Sequence, residues 1–124
     1  MLHDGVRVEV DGAVLRVTLD RPEKRNAINL AMQQALLDAT HRFAEDDGLR
    51  VMLLGATGPF FSAGADISGE LQPDFKGSTR KARHEYGHGA KHWHRLGDLF
   101  ETIGNPIVAA HVGPCLGGAL ELSL

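Results

Sequence analysis

The chain has 124 residues, 43% of them hydrophobic and 23% charged, enough for one modest globular domain. A formal net charge of −3 argues against bulk attraction to nucleic acid, and no run approaches the roughly 20 apolar residues needed to cross a bilayer. The single cysteine, Cys115, excludes an internal disulfide framework, and Met1-Leu-His-Asp-Gly5 has neither the basic nor the apolar region of a signal peptide, so a cytoplasmic protein is expected.

In chain order, Val6-Arg-Val-Glu-Val10 and Val14-Leu-Arg-Val-Thr-Leu19 flank Asp11-Gly12, a strong hairpin signal. A charged loop, Asp20-Arg-Pro-Glu-Lys-Arg-Asn26, leads to Asn29, which suits the N-cap of a helix running to Asp46 with Met32, Ala35, Leu36, Ala39 and Phe43 as its buried stripe. Gly48 stops that helix, and Val51-Met-Leu-Leu54 reads as a buried strand. A small-residue loop, Gly55 to Gly64, follows. From Ser78 to Ile103 a second helical region carries Tyr86, Trp93, Leu96, Phe100 and Ile103 in one core-facing seam. Ile107-Val-Ala-Ala-His-Val112 reads as another buried strand, feeding the glycine turn Gly113-Pro-Cys-Leu-Gly-Gly118 and a final helix. The order is that of an α/β fold with short crossovers.

The last segment carries the chemistry. A glycine-rich turn opening a helix leaves backbone N–H groups without intrahelical partners, and these can receive an oxyanion. Glu121, three residues beyond Gly118, lies on the same face, so proton transfer beside a stabilised oxyanion is the leading expectation. Ala119 to Leu124 is under two turns of helix and too short to stand alone in water, so the chain is read as part of a longer protein. The ends of the two predicted parallel strands, each followed by a Gly/Ala-rich loop, are where ligands sit in α/β sheets.

Four motifs in order, Arg21-Pro22-x-x-x-Asn26-Ala27, Phe61-Ser-Ala-Gly-Ala-Asp66, Asn105-Pro-x-Val-Ala-Ala110 and Gly113-x-x-Leu-Gly-Gly-x-x-Glu-Leu122, resemble the crotonase (enoyl-CoA hydratase/isomerase) family. The resemblance implies a crotonase-like spiral of repeated ββα units, with residues 1–124 forming the N-terminal part of a single domain that stops before a second catalytic Glu and the C-terminal helices. It implies an acyl-CoA substrate whose thioester oxygen lies between the N–H groups of Ala65 and Gly118. Ala63, Ala65, Asp66, Ile67 and Ser68 would run along coenzyme A. Lys24 and Arg25, beside Asn26-Ala27, would supply positive charge near the CoA phosphates, and Ala27, Leu116, Gly117 and Gly118 would also contact the CoA ester. Glu121 would be the acid/base of a 2-enoyl-CoA hydratase. An isomerase, a dehydratase and a non-catalytic acyl-CoA binder are the alternatives. No permanently bound cofactor is implied; coenzyme A enters as part of the substrate. A homotrimer or dimer of trimers is implied, with no nucleic-acid or membrane partner. The stretch between Ala65 and Gly118 is longer than in many members and rich in His, Lys and Arg, which leaves the acyl group open.

His84-Glu-Tyr-Gly-His88 also matches the H-E-x-x-H pattern of zinc proteases, with His92 one turn on. At about 100° per residue these histidines fall opposite Tyr86, Trp93 and Phe100. Gly87 and Gly89 weaken the helix that would present them. A solvated histidine face is therefore the reading and no metal site is expected, with a zinc-binding module built on His84 and His88 as the remaining alternative. Cys115 reads as a small buried thiol.

Overall fold

A computed structural model describes residues 2–66 and 93–124. Strands β1 (Leu2–His3), β2 (Val6–Asp11), β3 (Val14–Leu19), β4 (Val51–Ala56) and β5 (Ile107–Ala109) form one sheet in that spatial order. The first three are antiparallel to one another, and β4 and β5 continue parallel to β3. The helices are α1 (Leu30–Glu45), α2 (helical over 93–102) and α3 (Gly118–Ser123). A parallel step needs a crossover element, and α1 supplies it between β3 and β4.

Alternation along the strands creates the core. Val6, Leu15, Val17, Leu19, Met52 and Leu54 share one face, all nearly inaccessible, and α1 covers them with Met32, Leu36, Leu37, Ala39 and Phe43. The helix starts where the sequence places it: the Asn29 side chain accepts a hydrogen bond from the Met32 N–H at 2.9 Å, satisfying one orphan donor. It also buries two polar residues outside the expected stripe, Gln33 and Thr40; the Thr40 hydroxyl donates to the Leu36 carbonyl at 2.7 Å. Ala35, expected inside, is half-buried.

Four expectations are corrected. β1 is an unanticipated strand, joined to β2 by Asp4-Gly5 with φ of 49° and 87°, the conformation that a two-residue hairpin turn requires. The next turn centres one residue late, on Gly12-Ala13, because Asp11 still pairs with Val14. β4 is packed fully on one face only: Met52 and Leu54 are buried while Val51 and Leu53 are half-exposed. β5 ends at Ala109 rather than Val112 and is not buried, with Val108 49% exposed. The physical cause of its early end is Gly113, at φ 72° and packed so closely on the Pro59 carbonyl that a Cβ would overlap that oxygen. Ala110 still donates to the Leu54 carbonyl of β4 at 2.8 Å, but Gly113 and Pro114 lie on the 59–62 loop, where the Phe61 and Ser62 N–H groups donate to the Pro114 carbonyl. Within α2 Leu96 is buried and Trp93 and Phe100 pack partly against the core, as does Ile103 just beyond the helix. Tyr86, and the rest of that predicted helical region from Ser78 to His92, lies outside the described residues.

Candidate functional site

Three loops that are distant in sequence are laced together at the ends of β3, β4 and β5. The 61–66 loop runs beside the 113–118 turn through a parallel bridge between Ser62 and Cys115: the Phe61 N–H donates to the Pro114 carbonyl at 3.0 Å and the Leu116 N–H to the Ser62 carbonyl at 3.0 Å. On its other side the same loop pairs with 25–28. There the Ala63 N–H donates to the Arg25 carbonyl, the Ile28 N–H to the Gly64 carbonyl and the Asp66 N–H to the Ile28 carbonyl, at 2.8–2.9 Å.

A buried polar cluster holds the lacing. Asn26 is fully inaccessible and sits at φ 53°, a left-handed conformation that Asn tolerates better than most residues. Its Oδ1 accepts from the Arg21 N–H at 2.7 Å, and its Nδ2 donates to the carbonyls of Thr57 and Phe60 at 2.8 and 3.0 Å. The equally buried Ser62 hydroxyl donates to the Asn26 carbonyl at 2.7 Å and accepts from the Gly64 N–H at 3.1 Å. Arg21 Nη1 reaches the Ala27 carbonyl at 3.0 Å and the Asp66 carboxylate at 2.8 Å. The Asp66 carboxylate is thus turned into the fold, where it braces the residue next to Ala65. Sequence reasoning assigned no role to Arg21, Asn26 or Ser62; an Arg-Pro turn ending in an asparagine able to adopt positive φ was the available signal.

The lacing decides which backbone donors remain. A bridge at Ala65 uses the carbonyl of Gly64 and the N–H of Asp66, which directs Ala65's own N–H away; among the described residues it donates to nothing. Gly118 opens α3, where N–H groups lack intrahelical partners, and its N–H likewise has no acceptor among the described residues. The two loops touch at this point. Gly64 is at φ 95°, and a Cβ there would stand 2.9 Å from the Leu116 carbonyl oxygen and 3.5 Å from the Gly118 nitrogen. Only glycine lets the residue before Ala65 approach the Gly118 amide this closely. One turn into α3, Glu121 is exposed and makes no ion pair among the described residues. Two unspent N–H groups thus lie on touching loops, and an exposed carboxylate follows one turn into α3.

The remaining expected contact residues divide. The N–H groups of Ala27, Ala63, Asp66 and Leu116 are spent inside the protein, so none of them can donate to a ligand from this arrangement. Lys24 and Arg25 are exposed at the outer rim, with the Arg25 guanidinium 5.6 Å over the Phe60 ring. Gly117, at φ 58°, accepts from the Leu120 and Glu121 N–H groups and closes the first turn of α3. Cys115 is half-buried, with its sulfur 3.7 Å from the Ser123 hydroxyl. Ile67, Ser68, His84, His88 and His92 lie outside the described residues.

Known proteins share this fold. The enoyl-CoA hydratase/isomerase family matches residues 9–124, and the chain belongs to that family. It is 36% identical to a cyclohexa-1,5-dienecarbonyl-CoA hydratase of Thauera aromatica, over 95% of this chain and 41% of that protein. It is 30% identical to the mouse mitochondrial Delta(3,5)-Delta(2,4)-dienoyl-CoA isomerase, over 97% and 38%. Among solved structures, an enoyl-CoA hydratase from Bacillus anthracis superposes with a TM-score of 0.80 at 25% identity, covering 97% of this chain and 44% of that one. The chain thus spans about two fifths of the relatives it matches. The α/β sheet with its laced loops is the crotonase fold.

Proposed function

We propose that this protein processes acyl-CoA thioesters, and specifically that it hydrates 2-enoyl-CoA. The observation that carries the proposal is the juxtaposition of two backbone donors with no acceptor among the described residues, Ala65 and Gly118, on touching loops, with Glu121 one turn beyond. In this reading the thioester oxygen accepts from both N–H groups. Glu121 takes a proton from water as the water oxygen bonds to C3, and the C2=C3 electrons move onto the thioester so that its oxygen carries the enolate charge, held by dipoles that need no reorientation. Glu121 then returns the proton to C2 as the enolate collapses. Each such donor contributes about 3 kcal/mol. Lys24 and Arg25 at the rim place positive charge where CoA phosphates would lie. The protein would work in the cytoplasm as a trimer or dimer of trimers.

Glu121→Gln tests the assignment. It should lower turnover of crotonyl-CoA by at least about 100-fold, the usual scale of a general acid–base contribution, while CoA-ester affinity is nearly unchanged. Unchanged turnover would remove Glu121 from the chemistry.

The similarity to the mouse isomerase favours a second reading, in which Glu121 moves a proton between carbons and no water is consumed. Turnover in oxygen-labelled water separates the two. Hydration places the label in the product, whereas isomerisation leaves the product unlabelled.

A further inference from the structure

The glycine at position 118 has a second neighbour besides Gly64. A Cβ on Gly118 would overlap the indole ring of Trp93 and stand 2.7 Å from its Cε2, so the ring rests on the Gly118 Cα in van der Waals contact. Trp93 is half-buried, with its inner part packed against the core, and Leu96 in the same helix is fully buried and anchors it. The indole is therefore only partly covered, and its Cζ2, Cε2 and Nε1 atoms lie against Gly118, whose N–H is one of the two candidate oxyanion donors.

We infer that Trp93 is a specificity-determining wall of the acyl site, selecting thioesters whose acyl group is planar and conjugated, aromatic rings above all, over saturated puckered ones. The inference rests on the acyl-CoA reading of the same site. Its argument is one of distance. A thioester oxygen held about 2.7–3.1 Å from the Gly118 nitrogen puts the first acyl carbons within a residue's width of an aromatic ring in contact with the Gly118 Cα. A flat π-system there gains offset-stacked or edge contacts with the indole, while a chair-shaped ring of the same carbon count cannot match them. No other tryptophan is present in the sequence, so the emission of the protein reports on this one position.

Binding of benzoyl-CoA and cyclohexanecarbonyl-CoA to the full-length protein, followed by tryptophan emission and by calorimetry, tests the wall without requiring turnover. The expected result is about fivefold tighter binding of the benzoyl ester, accompanied by a change in emission. Trp93→Leu should abolish the preference and Trp93→Phe should retain most of it. Equal affinities for the two esters, an emission that does not move at saturation, or a preference that survives Trp93→Leu would each overturn the inference while leaving the acyl-CoA reading standing. Should Trp93→Leu fail to fold, the wild-type affinities and emission still decide. If neither ester nor free coenzyme A binds, the acyl-CoA reading itself fails and the inference falls with it.

Discussion

The body of the molecule and its loop cluster are held together by different physics. Between α1 and the sheet, Leu15, Val17, Met32, Leu36, Phe43 and Met52 exclude water by apolar contact, which is non-directional and tolerant of small shifts. Around Ala65 and Gly118 the loops are held by buried Asn26 and Ser62, by the Arg21–Asp66 pair and by backbone bridges, all of them directional. Apolar packing makes a stable platform, but it does not aim an N–H group. The polar cluster aims the Ala65 amide because its neighbours on both sides are pinned, Gly64 through its carbonyl and Asp66 through its N–H and its carboxylate. Both sets of residues contribute stability, but only the directional one fixes the geometry of the loops.

The sharpest break of this contrast is a pair of truncations. Phe43→Ala, deep in the body, should cost about 3–5 kcal/mol of unfolding free energy, from lost burial plus the cavity left behind. The folded fraction should still bind CoA esters with near wild-type affinity. Asn26→Ala should cost about 3 kcal/mol, because the Arg21 N–H and the carbonyls of Thr57 and Phe60 lose their partner in a site that water does not reach. Here ester affinity should fall along with stability. Urea unfolding and ester titration on both variants check the pair. Equal loss of affinity in the two would show that site geometry is not separately held.

The same division governs how far each region could be read from sequence. The body was legible because its signals are local: Asn29 caps its own helix, Met32 to Phe43 repeat at helical spacing, and Val14 to Leu19 carry a β-rich pattern beside a turn. β1 is equally readable, since Asp4-Gly5 is the same kind of turn signal as Asp11-Gly12. The loop cluster was legible only as motifs in order. Asn26 meets carbonyls 31 and 34 residues away and Arg21 meets Asp66 across 45, and no local periodicity encodes such contacts. Glycine at 64, 113 and 118 was visible as composition. That each of these is required by a specific neighbour, the Leu116 carbonyl, the Pro59 carbonyl and the Trp93 ring, emerges only when the loops are brought together.

A smaller effect sharpens the comparison by setting two ion pairs of the same chemistry against each other. The Arg21 and Asp66 side chains are 20% and 12% exposed and 2.8 Å apart; those of Arg16 and Asp11 are 51% and 68% exposed at 3.1 Å. Double-mutant cycles should give a coupling of about 1–2 kcal/mol for the sheltered pair, and less than about 0.5 kcal/mol for the exposed pair, where solvent screens the attraction. Raising the salt concentration should erase the second coupling and leave most of the first.

The smallest effect concerns a polar atom on the apolar side of the divide. Gln33 is 2% exposed, and its Oε1 is buried without a hydrogen-bond partner among the described residues, whereas Thr40, two turns later on the same face, satisfies its hydroxyl within the helix. A buried acceptor with no donor forfeits the hydration it had in the unfolded chain and gains nothing in return. Gln33→Met keeps an unbranched side chain of similar length and removes the orphan oxygen. It should raise the unfolding free energy by about 1 kcal/mol in urea titrations, with ester affinity unchanged. A loss of stability would mean that the amide has a packing or hydrogen-bonding task that the apolar body depends on. A loss of affinity at constant stability would instead place Gln33 with the directional network and move the boundary between the two regions into α1 itself.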